Sequence, residues 1–213
     1  MSRYETEEDQ IEAIKSWWKK HGTTLLTGVL VVVLAFSGWR YWSNSQYVAS
    51  ANASATFEAL QTRADQGAFG EVAREALKLM QEQPDSAYAV AAAFMYAKYE
   101  LDQGKVDVAL EKLTWVVDNA QDPELKALAK LRKARIYLDQ KNVSAADLLL
   151  AELKKSPLSQ AEQANVAYVA GLSALQQSQS ESAREAFTAV LDNPKADENL
   201  RGLAQIQLDD LAQ

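Results

Sequence analysis

The chain has 213 residues, a formal charge of −7, 48% hydrophobic residues, one histidine and no cysteine. With His21 alone and no thiol there is no side-chain set for a zinc, haem or iron–sulfur site, so no metal or cofactor is expected. Beyond residue 40 there are 24 acids against 17 bases, which is not the basic footprint that nucleic acid requires.

The first residues form a short tail, 1–21, with acids first (Glu5, Glu7, Glu8, Asp9, Glu12) and lysines last (Lys15, Lys19, Lys20). That order suits a helix dipole, and Ile11, Ile14 and Trp18 share one helical face. From Gly22 to Trp39 no residue is charged, and Gly28–Phe36 is apolar on every face. Eighteen such residues span about 27 Å as a helix, close to the hydrocarbon core of a bilayer. A transmembrane helix over 22–42 is predicted. Its expected interface residues are Trp17 and Trp18 at one end and Trp39, Arg40, Tyr41 and Trp42 at the other, where amphipathic rings prefer the headgroup level. The lysines before the span, against Arg40 alone close behind it, predict a cytoplasmic N-terminus and a single-pass, type II orientation. The small-x-small sites Ala49–Ala51 and Ala53–Ala55 lie too far past the apolar run for a cleaved signal peptide.

Residues 43–213 repeat themselves. Ala73, Ala109, Ala146 and Ala183 mark similar short helix starts, Gly104 marks a turn, and Pro84, Pro123, Pro157 and Pro194 close the copies. Proline stops a helix because it cannot donate and disfavours helix before it. The unit is therefore helix, turn, helix, proline. Such pairs bury their apolar faces only by stacking, so the fold class expected is all-α, one span followed by an α-solenoid. The pattern resembles the tetratricopeptide repeat. Ala97, Ala134 and Gly171 match its small first-helix position and Tyr137 its aromatic position, from which Glu100 and Ala174 depart. Phe187 matches the large second-helix position, with Leu113 and Leu150 as aliphatic substitutes. Asp197–Leu211 is expected to be a capping helix with acids on its outer face. In this register Phe94, Lys98, Leu101, Leu131, Arg135, Leu138, Tyr168 and Leu172 line successive first helices and form a candidate peptide or partner groove. No phosphate loop or nucleophile elbow occurs, so no catalytic residue is expected and the chain is not read as an enzyme.

Tyr4, the run Glu8-Asp9-Gln10-Ile11-Glu12-Ala13-Ile14-Lys15, Trp17-Trp18, Gly22 and the closing Gly38-Trp39-Arg40-Tyr41-Trp42 resemble the YfgM family, the ancillary subunit of the SecYEG translocon in Gram-negative bacteria. The resemblance implies an inner-membrane protein whose periplasmic repeat domain associates with the translocon and with the membrane-anchored chaperone PpiD, and assists emerging secretory proteins. It implies no catalytic or cofactor residue. The alternatives are an envelope stress regulator whose cytoplasmic tail sequesters a signalling protein, and a scaffold for another envelope complex.

Overall fold

A computed structural model of the chain describes residues 7–212. Tyr4 and the start of the tail lie outside the described residues. Among those described there are nine α-helices and no strand, in agreement with the all-α expectation. The chain divides into two compact units, one up to Asn52 and one from Ala53 onward.

The first unit consists of the greater part of α1, Glu7–Asp65. Among the described residues this is the one helix long and apolar enough to cross a membrane, with an 18-residue stretch of mean hydropathy 1.8. Leu25, Leu26, Val29 to Leu34 and Phe36 are each 45–67% exposed, on all sides of the helix. Half-exposed side chains of this size forgo roughly 1 kcal/mol each in water. The nine together forgo on the order of 10 kcal/mol, as much as the whole stability of a typical domain. Lipid around the helix would remove that cost. Trp17 stacks obliquely on His21 with ring centres 5.6 Å apart, and Trp39 on Trp42 at 5.7 Å. All six residues expected at the membrane interface lie exposed on α1.

The second unit is built of hairpins. The end of α1 pairs with α2, Phe69–Glu82. Three more pairs follow: α3, Ala87–Asp102, with α4, Val106–Asn119; α5, Pro123–Asp139, with α6, Val143–Lys154; and α7, Gln160–Gln176, with α8, Ser180–Asp192. The last helix, α9, Glu198–Asp210, packs on α8. The first helices of pairs begin at side-chain caps: Ser86, Asp122 and Ser159 accept from backbone amides, the last with Glu162 in a reciprocal capping box. Asp197 caps α9 in the same way.

The second helices are each entered through a left-handed residue, even α6, where the Asn142 side chain also accepts from the Ala145 amide, and this reveals the true period. Gly67, Gly104, Lys141 and Ser178 all have positive φ, between 58° and 74°, and each follows the previous one by 37 residues. A left-handed residue reverses the chain within each hairpin. Glycine adopts it freely, whereas a side chain costs roughly 1–2 kcal/mol there. Lys141→Gly and Ser178→Gly should therefore each raise stability, by about 1 kcal/mol, in thermal melts followed by circular dichroism. Gly104→Ala should lower it by a similar amount.

The 37-residue period also corrects the first copy. The residue equivalent to Ala109, Ala146 and Ala183 is Val72, which is 1% exposed, and not Ala73, which is half-buried. Alanine is not a reliable marker of this position, because what the position requires is burial, which valine meets equally well.

Packing between paired helices follows one rule. Stepping by 37 gives Leu60, Ala97, Ala134 and Gly171 on the first helices, and Ala76, Leu113, Leu150 and Phe187 on the second. The six non-glycine residues before Phe187 are at most 3% exposed, and Phe187 is fully buried. One member of each pair is small and the other large. In the last pair a Cβ on Gly171 would lie 2.5 Å from the Phe187 ring, so only glycine fits as the chain stands. Glu100, which departs from the aromatic pattern, is buried and faces Lys105 Nζ at 3.0 Å. This carboxylate holds the Lys105 ammonium above its usual pKa.

Candidate binding groove

The first helices α3 and α5 enclose a groove of about 300 Å³. Its floor is Phe94, Ala97, Leu101 and Ile136, and Lys98, Arg132, Arg135 and Asp139 stand around it. Four of the eight residues expected in a groove thus come together here: Phe94, Lys98, Leu101 and Arg135.

The other four lie elsewhere. Leu131 is half-buried and lines a smaller cleft of about 120 Å³ with Leu128, Glu162 and Asn165. Leu138 is 2% exposed and belongs to the core; its carbonyl accepts from Gln176 Nε2 at 3.0 Å. Tyr168 is 7% exposed, lies 5.6 Å from the Phe187 ring, and shares a cluster with Ala204 of α9. Leu172 is half-buried against the same core. Leu138 and Tyr168 therefore present no surface to a partner in this conformation. Equivalent positions along the repeats face progressively less open space, from Phe94 through Leu131 to Tyr168.

Arg132 is the residue the sequence reading missed. Its guanidinium lies over the Phe94 ring, 4.6 Å from the centre, a cation–π contact. Burial pulls its pKa down, and no carboxylate offsets that. Its spacing of three residues from Arg135 and seven from Asp139, one face of α5, was the available signal. Lys98 is tied to Asp102 Oδ2 at 2.6 Å.

A larger depression of about 770 Å³ lies along α6, α7 and α8. Its floor is largely alanine, including Ala151, Ala170 and Ala186. Its acid Asp147 is engaged by the Ser173 hydroxyl at 2.6 Å and by Gln177 Nε2 at 3.1 Å. Among the described residues no three His, Cys, Asp or Glu side chains converge as a metal site. The capping helix α9 exposes acids as expected, Glu198, Asp209 and Asp210, and also Leu203 and Ile206.

Residues 15–213 match the family model described as a tetratricopeptide repeat-like domain. The chain belongs to the tetratricopeptide repeat-like family. Within that family, the chain is similar to several curated proteins named ancillary SecYEG translocon subunit. The protein of Neisseria gonorrhoeae (strain ATCC 700825 / FA 1090) is 29% identical over 218 aligned residues, 99% of this chain and all of the relative. That of Escherichia coli (strain K12) is 29% identical over 154, covering 72% of this chain and 74% of the relative. That of Haemophilus influenzae (strain ATCC 51907 / DSM 11121 / KW20 / Rd) is 29% identical over 150, covering 70% and 72%. The resemblance carried by the tail and the span agrees with these names. Tetratricopeptide-like hairpins also account for the small–large pairing, because close stacking of first and second helices requires it.

Proposed function

We propose that this protein is an ancillary, non-enzymatic subunit of the Sec translocon in a bacterial inner membrane. The observation that carries the reading is the joining of an apolar, Trp-flanked helix to a repeat domain in a chain whose relatives bear that name. The span, residues 22–42, anchors the protein in the lipid bilayer beside SecYEG. The tail, 1–21, lies in the cytoplasm and residues 43–213 in the periplasm, as the lysines before the span favour. The repeat domain binds a PpiD-like membrane-anchored chaperone, emerging secretory proteins, or both. It works by holding partners near the channel exit rather than by turnover.

Photo-crosslinkers placed at Trp39, Tyr41 or Trp42 in intact membranes should capture channel or chaperone subunits. Recovery of neither would refute the assignment. Because the chain contains no cysteine, topology can be read with single cysteines. Ser50→Cys should react with a membrane-impermeant thiol reagent in spheroplasts, and Ser16→Cys should react only after lysis. The reverse pattern would invert the orientation.

A further inference from the structure

We propose that the groove between α3 and α5 receives an acidic segment of a partner protein, with a bulky apolar side chain seated on Phe94 and carboxylates held by Arg132 and Arg135. This rests on reading the repeat domain as a protein-binding module and names the chemistry of what it binds.

Charge singles the groove out. The region after residue 40 is net acidic, yet Lys98, Arg132 and Arg135 meet here with only Asp139 among the lining residues to oppose them. The other depressions lack this excess. The α6–α8 depression carries Asp147 and Glu185 against Lys154. The cleft near Pro123 carries Glu124 and Glu162 against Lys126 and Lys130. Asp102 neutralises Lys98, so the arginines are the cations left over. Neither arginine has a salt-bridge partner among the described residues.

The two arginines divide the work. The Arg132 guanidinium lies over the Phe94 ring, 4.6 Å from its centre, and although the residue is exposed the ring takes the place of some of its water. A carboxylate would return the interaction that burial took away, in a charge-assisted, bidentate geometry that guanidinium suits. Arg135, one turn further along α5, is exposed and can take a second acid three or four residues on in a helical ligand. The floor of Phe94, Leu101 and Ile136 has room for one or two bulky side chains. Steering by the cations adds to the on-rate and weakens with salt.

The test uses the full chain in micelles of a neutral detergent. The probes are three fluorescein-labelled, amidated twelve-residue peptides with Leu and Phe at helical spacing and Glu, Gln or Lys at all other positions. Fluorescence anisotropy should show the Glu peptide binding about tenfold more tightly than the Gln peptide, and the Lys peptide more weakly than both. Arg132→Gln with Arg135→Gln should abolish the preference for Glu, while Lys195→Gln should keep it. If the double variant loses helical circular dichroism, Arg135→Gln alone serves, since that exposed side chain does not pack over Phe94 as Arg132 does, and it should lose part of the preference. Equal binding of Glu and Gln peptides, or a preference that survives loss of the arginines, would overturn the proposal. Crosslinking at Trp39–Trp42 is independent of this result, so failure here leaves the translocon assignment to stand or fall separately.

Discussion

Gly171→Ala should destabilise the repeat domain, and Phe187→Leu should rescue it. The added methyl would lie 2.5 Å from one Phe187 ring atom and 2.7 and 2.8 Å from two others. The ring is fully buried and cannot swing into solvent. Overpacking of this kind costs roughly 1–3 kcal/mol, while replacing a mid-helix glycine by alanine returns about 1 kcal/mol. Because the closest approach is as short as 2.5 Å, the overpacking belongs at the upper end of that range, and the net expectation is a loss approaching about 2 kcal/mol, or a melting temperature several degrees lower for a domain of this size. Phe187→Leu alone should also lose about 1 kcal/mol or more by leaving space over Gly171. The double variant recreates the Ala–Leu pairing of Ala97 with Leu113 and of Ala134 with Leu150, and should melt close to or above the parent. A double-mutant cycle with a coupling energy of about 1–3 kcal/mol is the expected outcome. Simple additivity would mean that the two side chains do not share one space.

Arginines in the middle of the span should release the protein from the membrane. Val31 and Leu34 lie at the centre of the apolar run and are 59% and 62% exposed. An arginine at mid-span costs about 2.5–3.5 kcal/mol on the insertion scale, so Val31→Arg with Leu34→Arg costs roughly 5–7 kcal/mol. The parent should stay with membranes through alkaline carbonate extraction, and the double variant should move largely to the supernatant. A parent that is itself released would leave the apolar helix without its lipid. Tryptophan emission gives a second readout, because Trp17, Trp18, Trp39 and Trp42 should shift to longer wavelength when their lipid surroundings are lost.

The sequence made some of these features plain and hid others, for definable reasons. The span was legible because a long uncharged run between tryptophans has few other uses. The helix-pair architecture was legible because prolines and small residues recur at nearly regular intervals. The exact register was not. Val72 does not look like Ala109, and Lys141 and Ser178 do not look like Gly104, yet each pair performs the same structural task. Burial and a left-handed φ define those positions, and neither leaves a unique residue type. The groove was half legible. Phe94, Lys98, Leu101 and Arg135 follow from helical periodicity. Leu138 and Tyr168 share that periodicity but are covered, the first within the core beneath α7 and the second beside α9. Arg132 was missed because it sits one residue past the position equivalent to Phe94, and only its placement over that ring shows its role.

The evenly spaced left-handed turns carry a consequence for how such a chain can change its length. Excising residues 105–141 would join Gly104 to Asn142, so that α3 meets α6 across an unchanged kind of turn. Ala97 would then face Leu150, a pairing the solenoid already tolerates. Excising residues 142–178 would set Ala134 against Phe187, the combination that lacks room. Unequal recombination between copies is therefore permissive in the middle of the array and blocked at its last hairpin, which makes Gly171 and Phe187 a lock on the number of repeats.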